Sequence, residues 1–522
     1  MRLVTMKSLI IAAMTIILAG PGQSARILAL VPFPARSHWI VMEPLFHELV
    51  ARGHQITVFN NFPQKKPLAN YTDVDLSKLL PPMISEFSIE MIREKMPNPL
   101  ATTQFIHEVH DGSCEKVLKE EATQNLLRDK DQYDILFTEV FGSDCYAYFA
   151  HKFNIPIISI TTSVAMPWAA ERYGLPDNPS YIPNYLVNFT PQMNIWERIY
   201  NTYTLLYAKF MHQYIFSART QAMVEGILGE PLPDLQEVLM NRSTLLFLNS
   251  YHALSQSRPF PPNVIEIGGI HIKNDAQPLA EEFQTILDRS TNGVVVMSFG
   301  SLVRSASIPK PIIMMFMKAF ARYEQTFIFK FEEPLPEAPP NVIVRKWLPQ
   351  RDIMEHKNVQ AIIAHGGLAS TIEAVHFGKP IIGIPFFADQ RVNIMSVVRR
   401  GAGVQLDLDN LSEQKIYEAL SQVLNNPKYS KNMKSLSSKF KDRPRTPLET
   451  AVYWTEYVLR HKGAPHLRPA STHLSWYQYL LLDVIAFLVT LLAAVITASY
   501  FLLRWTLIKI RQPKINPTKK RN

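Results

Sequence analysis

Short apolar runs, each bounded by polar, Gly or Pro residues, recur along the chain and are separated by stretches whose apolar residues fall at helical spacing. In the first half they occupy 26–31, 56–59, 135–137, 157–160 and 245–248. In the second they occupy 294–299, 327–331, 342–344, 361–364, 381–384 and 403–406. Runs this short and this uniformly apolar suit strands buried on both faces, and their alternation with helical lengths predicts α/β units with parallel sheets. A Pro- and Gly-rich stretch without a helical face separates the two series. It predicts a linker at 263–278, an N-terminal domain over 25–262 and a C-terminal domain over 279–460. The stretch 442–459, with Pro at a helix start and apolar helical spacing, is expected to cross back and brace the first domain. Residues 166–240 break the rhythm with Trp168, Tyr173, Tyr185, Phe189, Trp196, Tyr203, Tyr207 and Phe210. Two readings of them stand side by side: the core of a helical subdomain, and an apolar pocket with a face leaning towards a membrane.

The chain ends differ from this body. Residues 484–503 form an uncharged run of twenty, about 30 Å as a helix, which matches a bilayer core. Tyr477, Tyr479 and Trp505 stand where an aromatic belt would lie. Residues 1–24 read as a secretory signal: Arg2 and Lys7 precede an apolar stretch over 9–19, and small residues at Gly22 and Ser24 suit cleavage. The basic excess after Leu503 places 504–522 in the cytoplasm and the body in the lumen, with 461–483 as a juxtamembrane segment. The closing KKRN resembles the dilysine retrieval signal of endoplasmic-reticulum membrane proteins, with Lys519 and Lys520 in position.

Charge and cysteine content narrow the picture further. The net charge of +9 arises at the ends: setting aside the nine basic residues there leaves 45 of 54, against 45 acidic residues. A neutral body carries no electrostatic footprint for nucleic acid. Two cysteines, Cys114 and Cys145, allow one bridge and no disulfide framework. Asn70, Asn188, Asn241 and Asn410 head glycosylation sequons.

The chemistry concentrates in 344–390. The run 361–364, the turn His365-Gly366-Gly367, a helical stretch and the run 381–384 make a β-α-β unit. Its helix start favours an anion such as a diphosphate, because unpaired N–H groups and the positive dipole end converge there. Trp347 offers a flat face to a uracil ring, Gln350 an amide to its polar edge, and Glu373 an acceptor for ribose hydroxyls. Asp389 and Gln390 suit the hydroxyls of a sugar. The order WLPQ, HGGxxSxxE, GxPxxGxPxFxDQ resembles the signature of the UDP-glycosyltransferases, with wording like that of the arthropod branch. The resemblance implies the GT-B architecture of two facing Rossmann-like domains plus a C-terminal transmembrane helix. It also implies donor contacts from Ser301, Trp347, Gln350, His365, Gly367, Ser370, Thr371, Glu373, Asp389 and Gln390. Ala369 stands where many members carry Asn, so one side-chain contact near the phosphates lacks its usual residue.

An acceptor hydroxyl must lose its proton during transfer, and His suits that role near neutral pH. His38 follows the first strand at a helix start, on the sheet edge where open α/β folds bind ligands, and the family carries its catalytic His in this loop. In TEVFGSDC a carboxylate partner is offered twice, by Glu139 at the family's own position and by Asp144 beyond it. Asp144 is favoured, for its shorter side chain. Asp73/Asp75 and Asp407/Asp409 mimic a metal-binding DxD but lack its setting, and His107 and His110 are one residue short of a zinc HExxH. The resulting expectation is an inverting hexosyltransferase using a UDP-sugar as co-substrate, UDP-glucose ahead of UDP-glucuronate, with no metal and no other cofactor. Its partners would be a small lipophilic acceptor and the endoplasmic-reticulum membrane, with homo-oligomerisation left open. A non-catalytic lipophile-binding member and a UDP-sugar epimerase of the same fold remain the alternatives.

Overall fold

The structure is a computed structural model that describes residues 24–129, 132–272 and 278–511. Residues 1–23 of the predicted signal, 273–277 of the linker and 512–522 of the basic end, with its KKRN, lie outside the described residues. The chain divides into a unit ending at Arg468 and a second beginning at Pro469.

The first unit holds two all-parallel sheets. One contains β1 (Arg26–Leu30), β2 (Gln55–Asn60), β3 (Tyr71–Asp75), β4 (Ile135–Glu139), β5 (Ile157–Thr161), β6 (Ser243–Leu248) and β7 (Val264–Glu266), in the order β3-β2-β1-β4-β5-β6-β7. The other contains β8 (Val294–Ser298), β9 (Thr326–Lys330), β10 (Val342–Arg345), β11 (Val359–Ala364), β12 (Ile381–Gly383) and β13 (Gly403–Gln405), in the order β10-β9-β8-β11-β12-β13. The central strands β5, β6 and β8 are buried along their whole length, as uniformly apolar runs between two helical layers require. In each sheet the strand order reverses beside the first strand, between β1 and β4 and between β8 and β11. Connections leave those neighbouring strands in opposite directions, so each carboxyl edge opens a crevice there.

Two strands escape the apolar pattern. β3 is a polar edge strand of sequence YTDVD, and it absorbs one of the DxD look-alikes. Asp73 accepts hydrogen bonds from Asn60 Nδ2 (2.9 Å) and the Gln64 amide (2.9 Å). β7 falls where the linker was expected to begin. It pairs with β6 from Val264 to Glu266, so the first domain extends past 263. The other DxD look-alike is also structural: Asp407 caps a short turn at the Asp409 amide, and Asp409 pairs with Arg93.

Three features tie the first unit together. Helix Pro447–Arg460 starts on a capping box of Thr446 and Glu449 and packs Ala451, Val452 and Val458 into the first domain's core, as the sequence predicts. Cys114 and Cys145 form a disulfide that fastens the turn after β4 to helix Pro99–Lys119. The third was not expected. Segment 83–87 of the first domain runs beside 301–304 of the second: the Ser85 amide donates to Ser301 O (2.7 Å), the Phe87 amide to Leu302 O (3.0 Å), and the Arg304 amide to Phe87 O (3.0 Å). The Phe87 ring is buried in the second domain's core.

In the second unit, helix Leu482–Arg511 is the one helix among the described residues long and apolar enough to cross a membrane. It runs past both ends of the expected 484–503.

Phe87→Ala should cost about 3 kcal/mol, the low end for emptying a buried phenylalanine site. Because the side chain is shared between domains, urea unfolding of the solubilised chain should show a lowered midpoint. An unchanged midpoint would mean that the 83–87 contact carries no stability.

Candidate active site

Both crevices open onto one cleft of about 480 Å³. From the first sheet, β1 leads through residues 31–35 into helix Arg36–Ala51, which presents His38 in its first turn. β4, hydrogen-bonded beside β1, ends on Glu139. His38 Nδ1 lies 2.5 Å from Glu139 Oε1. Since a carboxylate oxygen only accepts, Nδ1 carries the proton and Nε2 is left as the nitrogen that can take one up. Thr162, just past the end of β5, adds its hydroxyl to the pair, 3.1 Å from Glu139 Oε1 and 3.2 Å from His38 Nδ1. The His38 ring packs against Phe33 (centroids 4.7 Å apart) and edge-on against Phe141 (4.9 Å), which fixes its plane.

The expectation that Asp144 partners His38 is corrected. Asp144 lies beyond the turn after β4, one residue before the disulfide at Cys145, and is drawn into the helical insert instead. Arg172 grips it with both nitrogens (2.9 and 2.6 Å), and His212 Nε2 (3.0 Å) and Gln236 Nε2 (3.1 Å) complete its shell. Burial by itself would raise this carboxyl. The Arg172 and His212 charges outweigh burial and hold it well below the usual carboxylate range. Beyond it, His107 Nδ1 bonds to Thr103 O (2.8 Å) and His107 Nε2 to His212 Nδ1 (3.0 Å). Burial, then the neighbouring His212, pushes His107 down to about 3, so its neutral ring accepts from His212. His107 is therefore part of a structural network.

From the second sheet, β8 ends at Ser298 and β11 leads into His365-Gly366-Gly367. No side chain caps helix Leu368–His376, so its first-turn N–H groups remain for an anion at the cleft wall. Glycine is required on both sides of His365: a Cβ at Gly300 would lie 2.7 Å from its ring and one at Gly367 2.6 Å. Burial, then nearby Lys330, lowers His365 to about 4, which leaves a neutral imidazole at the cradle. Ser301 and Ser370 line the same wall. Thr371 does not. It is buried and donates to Gly367 O (3.1 Å) within its own helix.

Trp347 stands half exposed at the cleft margin. Gln350 Nε2 donates to Ser370 Oγ (2.9 Å) and Glu373 Oε2 (2.6 Å). Burial raises the Glu373 carboxyl to about 7 against the opposing Gln350 bond. Gln390 lines the cleft beside Asp389 and also shapes the loop there: its Oε1 accepts from the Phe386 (2.8 Å) and Phe387 (3.1 Å) amides. That loop passes through Ala388 at φ +51°, a strained left-handed conformation directly before Asp389. Asp389 is held by Asn393 Nδ2 (2.9 Å). Burial raises its carboxyl, and His38 lies close enough across the cleft to oppose that rise.

Sequence reasoning overlooked Thr162 and Lys330. Thr162 could have been found by applying the carboxyl-edge rule to β5 as well as to β1 and β4. Lys330 ends β9 beside β8, is buried, pairs with Glu332 (2.9 Å) and lies 5.9 Å over the Trp347 ring.

Comparisons with known proteins agree with this geometry. The family model described as UDP-glucoronosyl and UDP-glucosyl transferase matches residues 27–514. UDP-glucosyltransferase 2 of Dactylopius coccus is 42% identical over 487 residues, covering 93% of this chain and 94% of its own. UDP-glucuronosyltransferase 2B14 of Oryctolagus cuniculus is 32% identical over 498 residues, covering 91% and 92%. Among solved structures, the calicheamicin glycosyltransferase CalG4 superposes with a TM-score of 0.55 at 17% identity, over 84% of this chain and 99% of that one, a likeness of fold. Two facing Rossmann-like domains of the GT-B type, an uncapped helix start at the cleft in one and a histidine–carboxylate pair in the other, and a family match along nearly the whole length make one case: this chain belongs to the UDP-glycosyltransferase family.

Proposed function

We propose that the protein transfers glucose, with inversion, from UDP-glucose to a hydroxyl of a small lipophilic acceptor. The observation that carries this reading is the His38–Glu139 pair on one wall of the cleft that holds the anion cradle on the other. Trp347 stacks on uracil and Glu373 accepts from the ribose, while the first turn of helix Leu368–His376 and His365 meet the diphosphate. Asp389 accepts from the sugar hydroxyls. His38 Nε2 then removes the acceptor proton as the oxygen attacks the anomeric carbon. Glu139 balances the imidazolium, and Thr162 keeps the carboxylate in line. A neutral hexose fits this sugar wall better than a uronate. The cleft's Arg351 and Lys330 are paired with Asp352 (2.7 Å) and Glu332 (2.9 Å), and buried Asp389 would repel a second carboxylate. The 42% relative named a glucosyltransferase points the same way.

The same reading puts the catalytic body in the endoplasmic-reticulum lumen, anchored by helix Leu482–Arg511. It is supported by the disulfide and by exposed Asn70, Asn188, Asn241 and Asn410. In sealed microsomes with a phenolic acceptor, UDP-glucose should give a glycoside at the expense of UDP-glucuronate. Turnover should persist with chelator and rise when detergent opens the vesicles. Preference for UDP-glucuronate would overturn the donor assignment, and activity without latency the topology.

His38→Ala should lower kcat about 10²–10⁴-fold. Glu139→Gln should approach that loss and add little to it in the double variant, because an orienting group has nothing to orient once the base is gone. Asp144→Asn should instead destabilise the fold, since it leaves the buried Arg172 guanidinium without its counter-ion. A folded, stable Asp144→Asn enzyme with a His38-like loss in kcat would reverse the two roles.

The Glu373 carboxyl, held neutral up to about 7, gives a signed pH dependence. The folded, ligand-free chain keeps a proton that an unfolded one releases near 4.5, so its stability falls as pH rises through that window. UDP binding moves the other way, because ribose hydroxyls need the ionised acceptor. Affinity for UDP should improve about tenfold from pH 6 to pH 8 and flatten in Glu373→Gln. A pH-independent affinity measured by calorimetry would remove Glu373 from the ribose site.

A further inference from the structure

A second cavity, of about 790 Å³, lies at the far ends of the two helices that start at the active-site cleft. Helix Arg36–Ala51, which presents His38 in its first turn, lends this cavity His47, Glu48 and Ala51 from its last turns. Helix Leu368–His376 lends it His376, its last residue. The remaining walls come from the two places where the chain passes between the domains. Gly268, Gly269 and Ile270 follow β7, and residues 440–448 lead into the crossing-back helix Pro447–Arg460. The cavity therefore touches both domains and both crossings, and none of its chemistry is used by the reaction proposed above.

Its charge is one-sided. Lys441, Arg443 and Arg445 all line it, while Asp442 between them does not. The carboxylate that does line it, Glu48, already accepts from Arg52 Nε (3.0 Å). Aromatic rings fix both guanidinium planes: Arg443 lies 3.6 Å over the Tyr251 ring and 4.4 Å over that of Phe440, and Arg445 lies 4.6 Å over Tyr453. Stacking occupies the face of a guanidinium and leaves its N–H edge for an acceptor. Arg443 Nε donates to Phe440 O (2.8 Å), but neither terminal nitrogen has a hydrogen-bond partner among the described residues, although Nη2 is buried. Burial lowers this guanidinium to about 10, against the opposing pull of Tyr251 and Glu266. Burial, then the Lys441 charge, pushes neighbouring His376 down to about 4, and Arg443 adds to the effect. A cation withdrawn from water with its donors unfilled is unfavourable unless an anion meets it.

We propose that this cavity is a second binding site, distinct from the cleft, for a small soluble anion that carries a phosphate group. Its size and concave shape suit a small molecule. Three cations facing no free carboxylate call for more than one negative charge, and two arginine forks with fixed planes match the paired oxygens of a phosphate. The place of the site has a consequence that rests on the proposed function. Donor entry and product release require the two domains to shift against each other. An anion seated against both chain crossings, and against the far ends of the His38 helix and of helix Leu368–His376, resists that shift and slows turnover.

Inorganic pyrophosphate is the probe. The solubilised full chain is saturated with UDP to fill the cleft, and pyrophosphate is then titrated in by calorimetry. One site is expected, weakened about tenfold or more in Arg443→Gln and in Arg445→Gln, the loss of one charge-assisted contact. Lys431→Gln, at an exposed position of helix Pro427–Lys441, should bind as the unaltered chain does. Arg443 is packed between two rings, so exposed Arg445 keeps the test decisive should Arg443→Gln fail to fold. Absence of binding in the presence of UDP, or equal weakening in Lys431→Gln, would overturn the proposal. In chains reconstituted in phosphatidylcholine vesicles, added phosphatidic acid should leave the pyrophosphate affinity unchanged; displacement would overturn the soluble source in favour of a lipid headgroup. The effect on turnover is read separately. At saturating UDP-glucose, pyrophosphate should lower kcat in the unaltered chain and not in Arg445→Gln. A rise in KM for UDP-glucose alone, equal in both, would mean competition in the cleft and overturn the coupling. A chain that binds pyrophosphate but transfers no sugar would count against the proposed function and not against the anion site.

Discussion

A parallel sheet buried on both faces can meet a ligand only at an end, and among its ends only where neighbouring strands send their connections to opposite sides. Both sheets obey this constraint, between β1 and β4 and between β8 and β11, and the whole site follows from it. The first reversal brings a helix start bearing His38 beside the strand end bearing Glu139. The second brings Ser298 beside the His365 turn, where an uncapped helix start supplies positive potential without any charged side chain. Placed edge to edge, the two crevices make one cleft with the His38–Glu139 pair on one wall and the uncapped helix start on the other.

The two acidic residues after β4 show how much position decides chemistry. Glu139 is the last residue of its strand, so the sheet register fixes its direction and its longer side chain spans the gap to His38. Asp144 follows a turn and is pulled by the neighbouring disulfide and by Arg172 into the helical insert, where it neutralises buried cations. Each carboxylate is held by a histidine, yet one pair faces the cleft and the other is sealed behind it.

The second domain also leans on the first for its own completeness. Segment 83–87 extends the backbone hydrogen bonding of the loop after β8 and, with Ile89 and Ile92, lends Phe87 to the second domain's core. The loop so braced carries Gly300 and Ser301, which means that the second domain's side of the cleft is partly supported by the first domain.

Much of this was written in the sequence, because periodicity and spacing are local properties. Eleven apolar runs became eleven strands, and the glycines around His365, the helix start at His38 and the crossing-back helix lay where their patterns put them. Trp347, Glu373 and Asp389 belong to a motif fixed by spacing, and all three line the cleft. What the sequence did not carry depends on contacts between distant residues. β3 is polar because an edge strand pairs on one side only, so no apolar run announced it. The partner of His38 turned on which carboxylate the register aims and which a distant Arg172 captures. Thr371 shares the motif spacing with true cleft residues, yet its hydrogen bond turns it into its own helix. The aromatic residues of the insert read as subdomain core or as an apolar pocket with a membrane-leaning face until packing separated buried Trp168 and Tyr173 from exposed Trp196 and Tyr203, because helical spacing gives a residue a face but not what that face meets.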